Sequence, residues 1–397
     1  MTAPSNNQPV EKRRVLYIDH TLYKSGAATS LGTLIRSLSS RVDPYFILRA
    51  GNDVREMIGA IEEPVYYERF MPQFMTALCS PQYPPHLFLW HLCKIPLAFI
   101  RVFAIARAWN IQLIHLNDTV LLPYVFIGRS LGLPVVMHAR GATAPRPVER
   151  YFLNKMGSFK KMAVIAIDEE VKRSLPDRCR DVTRIIYNPI DLGHDPTEKQ
   201  IEAIRRSWGC TPEDVVVGQV ASLHTSKGIW DILEIALELC PRNDRLKFVL
   251  IGDDRAEVGE GPELRRLIQH KKFEGKVILP GYLSDTSLIY GALDIALCFF
   301  GRYLGGVGRQ AYEAAMAGKP LIATMPNPEK SQTIKHGITG LAFKPNDRRG
   351  ILEALLRLTE STEERGALGR RAMKEIGHRH QPVRIADEVY GLYESLL

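Results

Sequence analysis

The chain has 397 residues, too many for one ordinary hydrophobic core and enough for two domains of roughly 150–200 residues each. Hydrophobic residues make up 45% and charged residues 24%, a balance that excludes a chain disordered throughout. The net charge of +8 favours something anionic as a partner, either nucleic acid, an anionic membrane or a phosphate-bearing ligand, although a surplus of this size also serves solubility alone. With no Arg/Lys-rich arm and no RNA-binding signature, nucleic acid is excluded first.

Residues 1–12 read as a loose polar tail, and no apolar signal-peptide core precedes Lys12-Arg13-Arg14. Val15-Leu-Tyr-Ile-Asp19 is a short apolar run of the kind a buried parallel strand needs. The small residues Gly26-Ala27-Ala28 follow as a turn, and then a helical pattern through Leu31, Leu34, Ile35 and Leu38. Further strands are expected at 45–48, 113–116, 135–138, 163–166 and 184–187, with helices at 87–108, 121–131 and 147–156. Asn188-Pro189-Ile190-Asp191 and the polar stretch after it break the pattern and place a boundary near residue 195. Alternation then restarts, with strands at 215–220, 247–251, 276–279, 294–297, 320–323 and 340–343. Helices are expected at 229–239, 262–271, 285–290, 308–317 and 349–358, and a last helix over 382–396 closes the chain. The fold class is therefore α/β: two doubly wound, Rossmann-like parallel-sheet domains, 13–195 and 196–378, facing a cleft, with 379–397 packing back toward the first.

The stretch 87–108 is the most apolar in the chain, but His91, Lys94, Pro96, Arg101 and Arg107 interrupt it. It is read as non-spanning: either a buried core helix or one docked on lipid headgroups through Phe88, Trp90, Lys94, Arg101, Arg107 and Trp109. The six cysteines show no metal-ligand spacing and fit reduced, packed thiols in a cytosolic protein. The eleven histidines are scattered, with His378-Arg379-His380 expected on a solvated helix, so no metal is expected.

The loop Gly305-Gly306-Val307-Gly308-Arg309 follows a strand and opens into a helix that carries Glu313. Free amides at a helix start and the positive end of its dipole can cradle a diphosphate, and glycines allow close approach. A carboxylate at Glu313 could take two ribose hydroxyls; a tight βα turn followed by a solvated glutamate would show the same pattern. Lys227-Gly228, also just after a strand, places a cation where it can neutralise a leaving phosphate, or merely caps a solvated turn.

Taken in order, these segments resemble the family-four retaining glycosyltransferases of group 1, which have the GT-B fold. Gly26-Ala27-Ala28 is similar to that family's Gly-Gly-Ala-Glu loop, and Ile186 to Asp191 to its Asn-Gly-Val-Asp element. Lys227-Gly228, Ile251-Gly252-Asp253, Pro280-Gly281-Tyr282 and the run from Glu313 to Pro320 follow in the family's order. The resemblance implies a retaining hexosyltransferase with Lys227, Glu313 and His138 at the catalytic centre. It implies nucleotide-sugar binding by Gly305, Gly306, Val307, Gly308 and Arg309, with Gly281, Tyr282 and Leu283 bordering the base. Gly26, Ala27 and Ala28 would form an acceptor or phosphate loop. The nucleotide sugar is a substrate, and no cofactor is implied.

Two positions depart from the family. A glutamate that usually touches the sugar is replaced by Gly305, and no arginine stands at 219, 221 or 222, so Arg309 is the candidate to supply that charge. The expected acceptor is a saccharide, lipid-linked if 87–108 docks on lipid, in cell-envelope polysaccharide, lipopolysaccharide or glycolipid synthesis at the inner face of the cytoplasmic membrane. A nucleotide-sugar epimerase and a non-catalytic nucleotide-sugar-binding protein are the alternatives; Gly305 argues mildly against the first and for the second.

Overall fold

The computed structural model describes residues 11–22, 25–51, 64–74, 85–253, 260–269, 273, 275–299 and 307–397. They form two units, Met1–Pro189 together with Pro382–Leu397, and Ile190–Gln381. The division falls after Pro189 rather than near 195 because Ile190 already belongs to the second unit: its side chain is in that unit's core and its amide donates to the His380 carbonyl at 2.9 Å.

The first unit runs β1 (Arg13–Asp19), α1 (Gly26–Leu38), β2 (Val42–Arg49), β3 (Val65–Glu68), α2 (Pro85–Ala108), β4 (Leu113–Leu116), α3 (Leu122–Ser130), β5 (Val135–Ala139) and α4 (Pro147–Met156). It continues with β6 (Met162–Ala166), the short helices α5 (Glu169–Ser174) and α6 (Asp177–Asp181), and β7 (Thr183–Ile185). All strands are parallel, in the order β3-β2-β1-β4-β5-β6-β7. Successive side chains of a strand point to opposite faces, so a strand covered on both sides is apolar throughout. In β1, Leu16 and Ile18 enter the core beneath α2 and α3, while Val15 and Tyr17 enter the core beneath α1.

The second unit begins with α7 (Glu198–Ser207), whose first turn is closed by Thr197 and Gln200 in a reciprocal capping box. β8 (Val215–Val220), α8 (Ile229–Leu239), β9 (Leu246–Ile251), α9 (Gly261–Ile268), β10 (Val277–Gly281), α10 (Thr286–Ala292) and β11 (Ile295–Cys298) follow. α11 (Arg309–Met316), β12 (Leu321–Thr324), β13 (Leu341–Phe343), α12 (Arg348–Glu360) and α13 (Thr362–Gly377) complete it. Its parallel sheet has the order β10-β9-β8-β11-β12-β13. In each sheet the order reverses beside the unit's first strand, at β1/β4 and at β8/β11. The carboxyl ends of strands at such a reversal are where open α/β sheets take ligands.

The chain re-enters the first unit as α14 (Pro382–Glu394), which buries Ile385, Val389 and Leu392 against the α1 face that carries Leu31 and Leu34. Two sequence expectations need correction. His378–His380 form a short 3-10 turn, and His380 is buried with its ring 4.1 Å from that of Tyr312, because the turn closes onto α11. Gly26-Ala27-Ala28 are the first turn of α1 rather than a loop, because the Ser25 hydroxyl accepts the Ala28 amide at 3.2 Å and caps the helix there.

Candidate active site

In the second unit the loops after β8 and β11 lie side by side at the sheet reversal, and Gln219 joins them. This buried side chain donates through Nε2 to the Lys227 carbonyl at 2.6 Å and accepts the Phe299 amide on Oε1 at 2.6 Å. The Lys227 turn is a short 3-10 segment that ends in Gly228 at φ 61°, a left-handed conformation that side chains rarely adopt. A Cβ on Gly228 would lie 2.8 Å from that of Phe299, so only glycine lets the two loops meet so closely. On its outer side the same turn is held by Glu260, whose carboxylate takes the Thr225 amide at 2.8 Å and hydroxyl at 2.7 Å.

The β11 loop ends at Gly308, the N-cap of α11. At that helix start the Cys298 thiol packs in one core with Val307 and Ala311, close to the donors of Gly308, Gln310 and Ala311. Burial raises it to about 12, although Lys227 and these donors pull the other way, so it stays a neutral thiol. Gly308 and Arg309 open α11, with Val307 buried beside them, and the Lys227 backbone is tied through Gln219 to Phe299 in the loop after β11. Gly305 and Gly306 lie outside the described residues.

Glu313 is buried on α11, not solvated. Its Oε1 accepts from Arg309 Nε at 2.6 Å and its Oε2 from the Tyr290 hydroxyl at 3.3 Å; that hydroxyl also donates to the Gln310 carbonyl at 3.0 Å. Burial, and next the nearby Glu313 charge, push the Tyr290 phenol well above its ordinary value, which keeps it a donor. The Arg309 guanidinium, expected to face phosphate, is bonded to Glu313. Gly281 closes β10 at φ 82° and its carbonyl accepts the Gly252 amide at 3.1 Å; Tyr282 beyond it is exposed, and Leu283 packs on the α11 side of the sheet.

In the first unit, His138 occupies β5 and is fully buried, its ring 5.5 Å from that of His115. Neither His138 ring nitrogen has a hydrogen-bond partner, and burial, followed by the charges of Arg140 and His115, holds it well below its ordinary value. Around it the strand ends carry a polar network that sequence reasoning missed. Asp19 at the end of β1 accepts from Asn117 after β4, and Asn117 Oδ1 accepts from Arg140 Nε at 2.9 Å and Nη2 at 2.7 Å. Arg140 Nη1 donates to Asn188 at 2.5 Å. Asn117 and Arg140 each directly follow a strand, but the sequence alone carries no signal that pairs them.

Models of two glycosyltransferase families match in succession: glycosyltransferase family 4 over residues 24–194 and glycosyl transferases group 1 over residues 200–375. The chain belongs to the group 1 glycosyltransferases, and its pair of parallel-sheet α/β units is the GT-B fold. Anabaena HepE in complex with UDP matches at a TM-score of 0.74 with 18% identity, over 96% of this chain and 100% of that one. The same Anabaena protein is also solved with UDP-glucose. A glycosyltransferase from Rickettsia africae matches at a TM-score of 0.74 with 16% identity, over 97% and 98% of the two chains. In sequence, the alpha-monoglucosyldiacylglycerol synthase of Acholeplasma laidlawii is 23% identical over 178 residues. That match covers 44% of this chain and 42% of the relative, so the chain matches less than half of that protein's length.

Proposed function

We propose that this chain is a retaining hexosyltransferase that uses a nucleotide-sugar donor and a saccharide acceptor, lipid-linked, in cell-envelope polysaccharide or glycolipid synthesis. It would work at the inner face of the cytoplasmic membrane, with the nucleotide sugar as substrate and no cofactor. Family membership supports transfer, and relatives solved with UDP and UDP-glucose support a uridine nucleotide sugar as donor. The name of the Acholeplasma relative supports an acceptor at a lipid surface.

The observation that supports the reading is the Gln219 bridge, which ties the turn carrying Lys227 to Phe299, in the loop that leads toward α11, at the sheet reversal. A departing diphosphate placed there meets a cation, the free amides of a helix start and the positive end of its dipole. The developing sugar charge resembles an oxocarbenium ion, and the departing phosphate takes the acceptor's proton on the same face, which retains configuration without a protein nucleophile. Glu313 keeps lone pairs beyond those used by Arg309 and Tyr290, so it can accept two ribose hydroxyls. Gly281 to Leu283 border the base, the first turn of α1 (Gly26, Ala27 and Ala28) receives phosphate or acceptor, and His138, fully buried near the end of β5, supports the sugar side from within the first unit. The test is turnover of a panel of nucleotide sugars, with and without a lipid extract; binding without release of sugar in either condition overturns transfer in favour of a non-catalytic binding role, and an isomerised nucleotide sugar as product would mean an epimerase.

A further inference from the structure

Among the described residues, α2 is the one helix long and apolar enough by length and composition to cross a membrane. Its packing argues against a span. Ala98, Val102 and Ile105 are buried in the core of the first unit, and Arg101 pairs with the buried carboxylate of Glu68. His91 accepts the Gln73 backbone amide at 3.0 Å, while Phe88 packs on Phe74 and Trp109 stacks on Tyr45. Three groups expected at a lipid surface, Phe88, Arg101 and Trp109, therefore face the protein.

The opposite side of α2 reverses the usual order of a surface helix. Leu89 (60% exposed), Trp90 (53%), Leu97 (39%), Ile100 (62%) and Phe103 (41%) recur at helical spacing on the solvent side. A continuous apolar stripe of this kind marks an interaction surface rather than a solvated face. Its flanks are basic: Lys94 Nζ lies over the Trp90 ring at 5.3 Å, and the Arg107 guanidinium over the Phe103 ring at 4.9 Å. Residues 69–117 contain no Asp or Glu at all. Such a stripe, apolar at its centre and purely basic at its edges, complements anionic headgroups above acyl chains. A second copy of the same face would instead set like charges against each other.

We propose that α2 docks this chain on an anionic membrane surface, lying in the plane of the headgroups with Trp90, Leu97, Ile100 and Phe103 inserted and Lys94 and Arg107 at the phosphates. The inference rests on, and deepens, the reading of a lipid-side acceptor. Lying flat, the helix offers a contact about 36 Å long.

The experiment is flotation of the full chain with vesicles of phosphatidylglycerol mixed with phosphatidylcholine, and of phosphatidylcholine alone, with no sugar nucleotide present. A variant with Leu97→Gln, Ile100→Gln and Phe103→Gln is run beside it, and thermal melting confirms that it folds. The proposal expects the natural chain to float with the anionic vesicles, more weakly with the neutral ones, and the variant to lose binding on the order of 100-fold. It also expects brominated acyl chains to quench the fluorescence of Trp90 at shallow depth, a signal absent in Trp90→Phe. A natural chain that stays with the soluble fraction in every mixture overturns the proposal, as does a variant that floats unchanged. A dimer that the variant dissolves, without flotation of either protein, assigns the face to a second copy and likewise overturns it. A chain that floats but turns over no nucleotide sugar sinks the transfer reading and leaves docking intact.

Discussion

Gln219 and Lys227 are joined by a half-buried hydrogen bond of 2.6 Å from side-chain amide to backbone carbonyl, and the other end of the same amide holds Phe299. One side chain therefore fixes how the loop after β8 meets the loop after β11.

Replacing Gln219 with Leu takes away the partner of the buried Phe299 amide, a cost of about 1–3 kcal/mol. The expected result is a lower melting temperature together with weakened donor binding. Gln219→Glu keeps an acceptor for Phe299 but sets a carboxylate against the Lys227 carbonyl. It should lower kcat more than it raises KM, by displacing Lys227; equal kinetics in Gln219→Glu and the natural chain would contradict the positioning role.

Arg309 and Glu313 form a buried ion pair one helical turn apart. Removing either partner alone should destabilise the chain by about 3–5 kcal/mol, because the remaining charge stays buried without its opposite. Arg309→Met combined with Glu313→Leu should recover much of that stability yet fail to bind the nucleotide. Urea unfolding and titration calorimetry read the two effects separately, and intact nucleotide affinity in the double variant would remove Glu313 from the ribose site.

His115 and His138 make the first unit sensitive to acid. Burial, and second the Arg140 charge, push His115 down to about 3, and His138 lies well below its ordinary value for the same leading cause. Both rings are neutral when folded, whereas unfolded they titrate near 6.5. The stability they contribute is present above pH 6.5 and is lost as pH falls below it, because the unfolded state takes up protons that the folded state refuses. The loss approaches about 1.4 kcal/mol per pH unit for each ring. Urea midpoints measured between neutral and mildly acidic pH should fall with that slope, and His138→Leu should halve it.

The Tyr393 hydroxyl at the end of α14 bonds His115 Nδ1 at 2.6 Å and lies 3.3 Å from the Tyr17 hydroxyl. Truncation after Gln381 removes that anchor and uncovers the Leu31–Leu34 face of α1, so the first unit should unfold while Ile190–Gln381 keeps its structure. Amide exchange resolved by segment distinguishes this from a uniform loss.

Much of the fold was legible because buried parallel strands are uniformly apolar. Val15–Ile18 and Val215–Val217 could be read from composition alone. β3 (Val65–Glu68) escaped, being a short, half-exposed edge strand ending in an ion-paired glutamate, and α13 escaped because its buried residues Leu368, Ala372 and Ile376 are thinly spread among charges. The Lys227 turn and the helix start at Gly308 were legible as small-residue punctuation after strands. Gln219 was noted only as an uncharged position, and the Asn117–Arg140 network not at all, since such residues acquire meaning only when the sheet brings distant strand ends together. The direction of Arg101 was likewise hidden, because periodicity places a residue on a helix face without saying which face meets the protein.

The central claim is that Lys227 stabilises a departing nucleoside diphosphate at the start of α11. The most direct measurement is UDP release from a panel of UDP-hexoses, with and without lipid extract, by the natural chain and by Lys227→Ala. The account predicts turnover of one donor, reduced about 100- to 1,000-fold in a variant that melts at the same temperature. Equal turnover in the two proteins would contradict it.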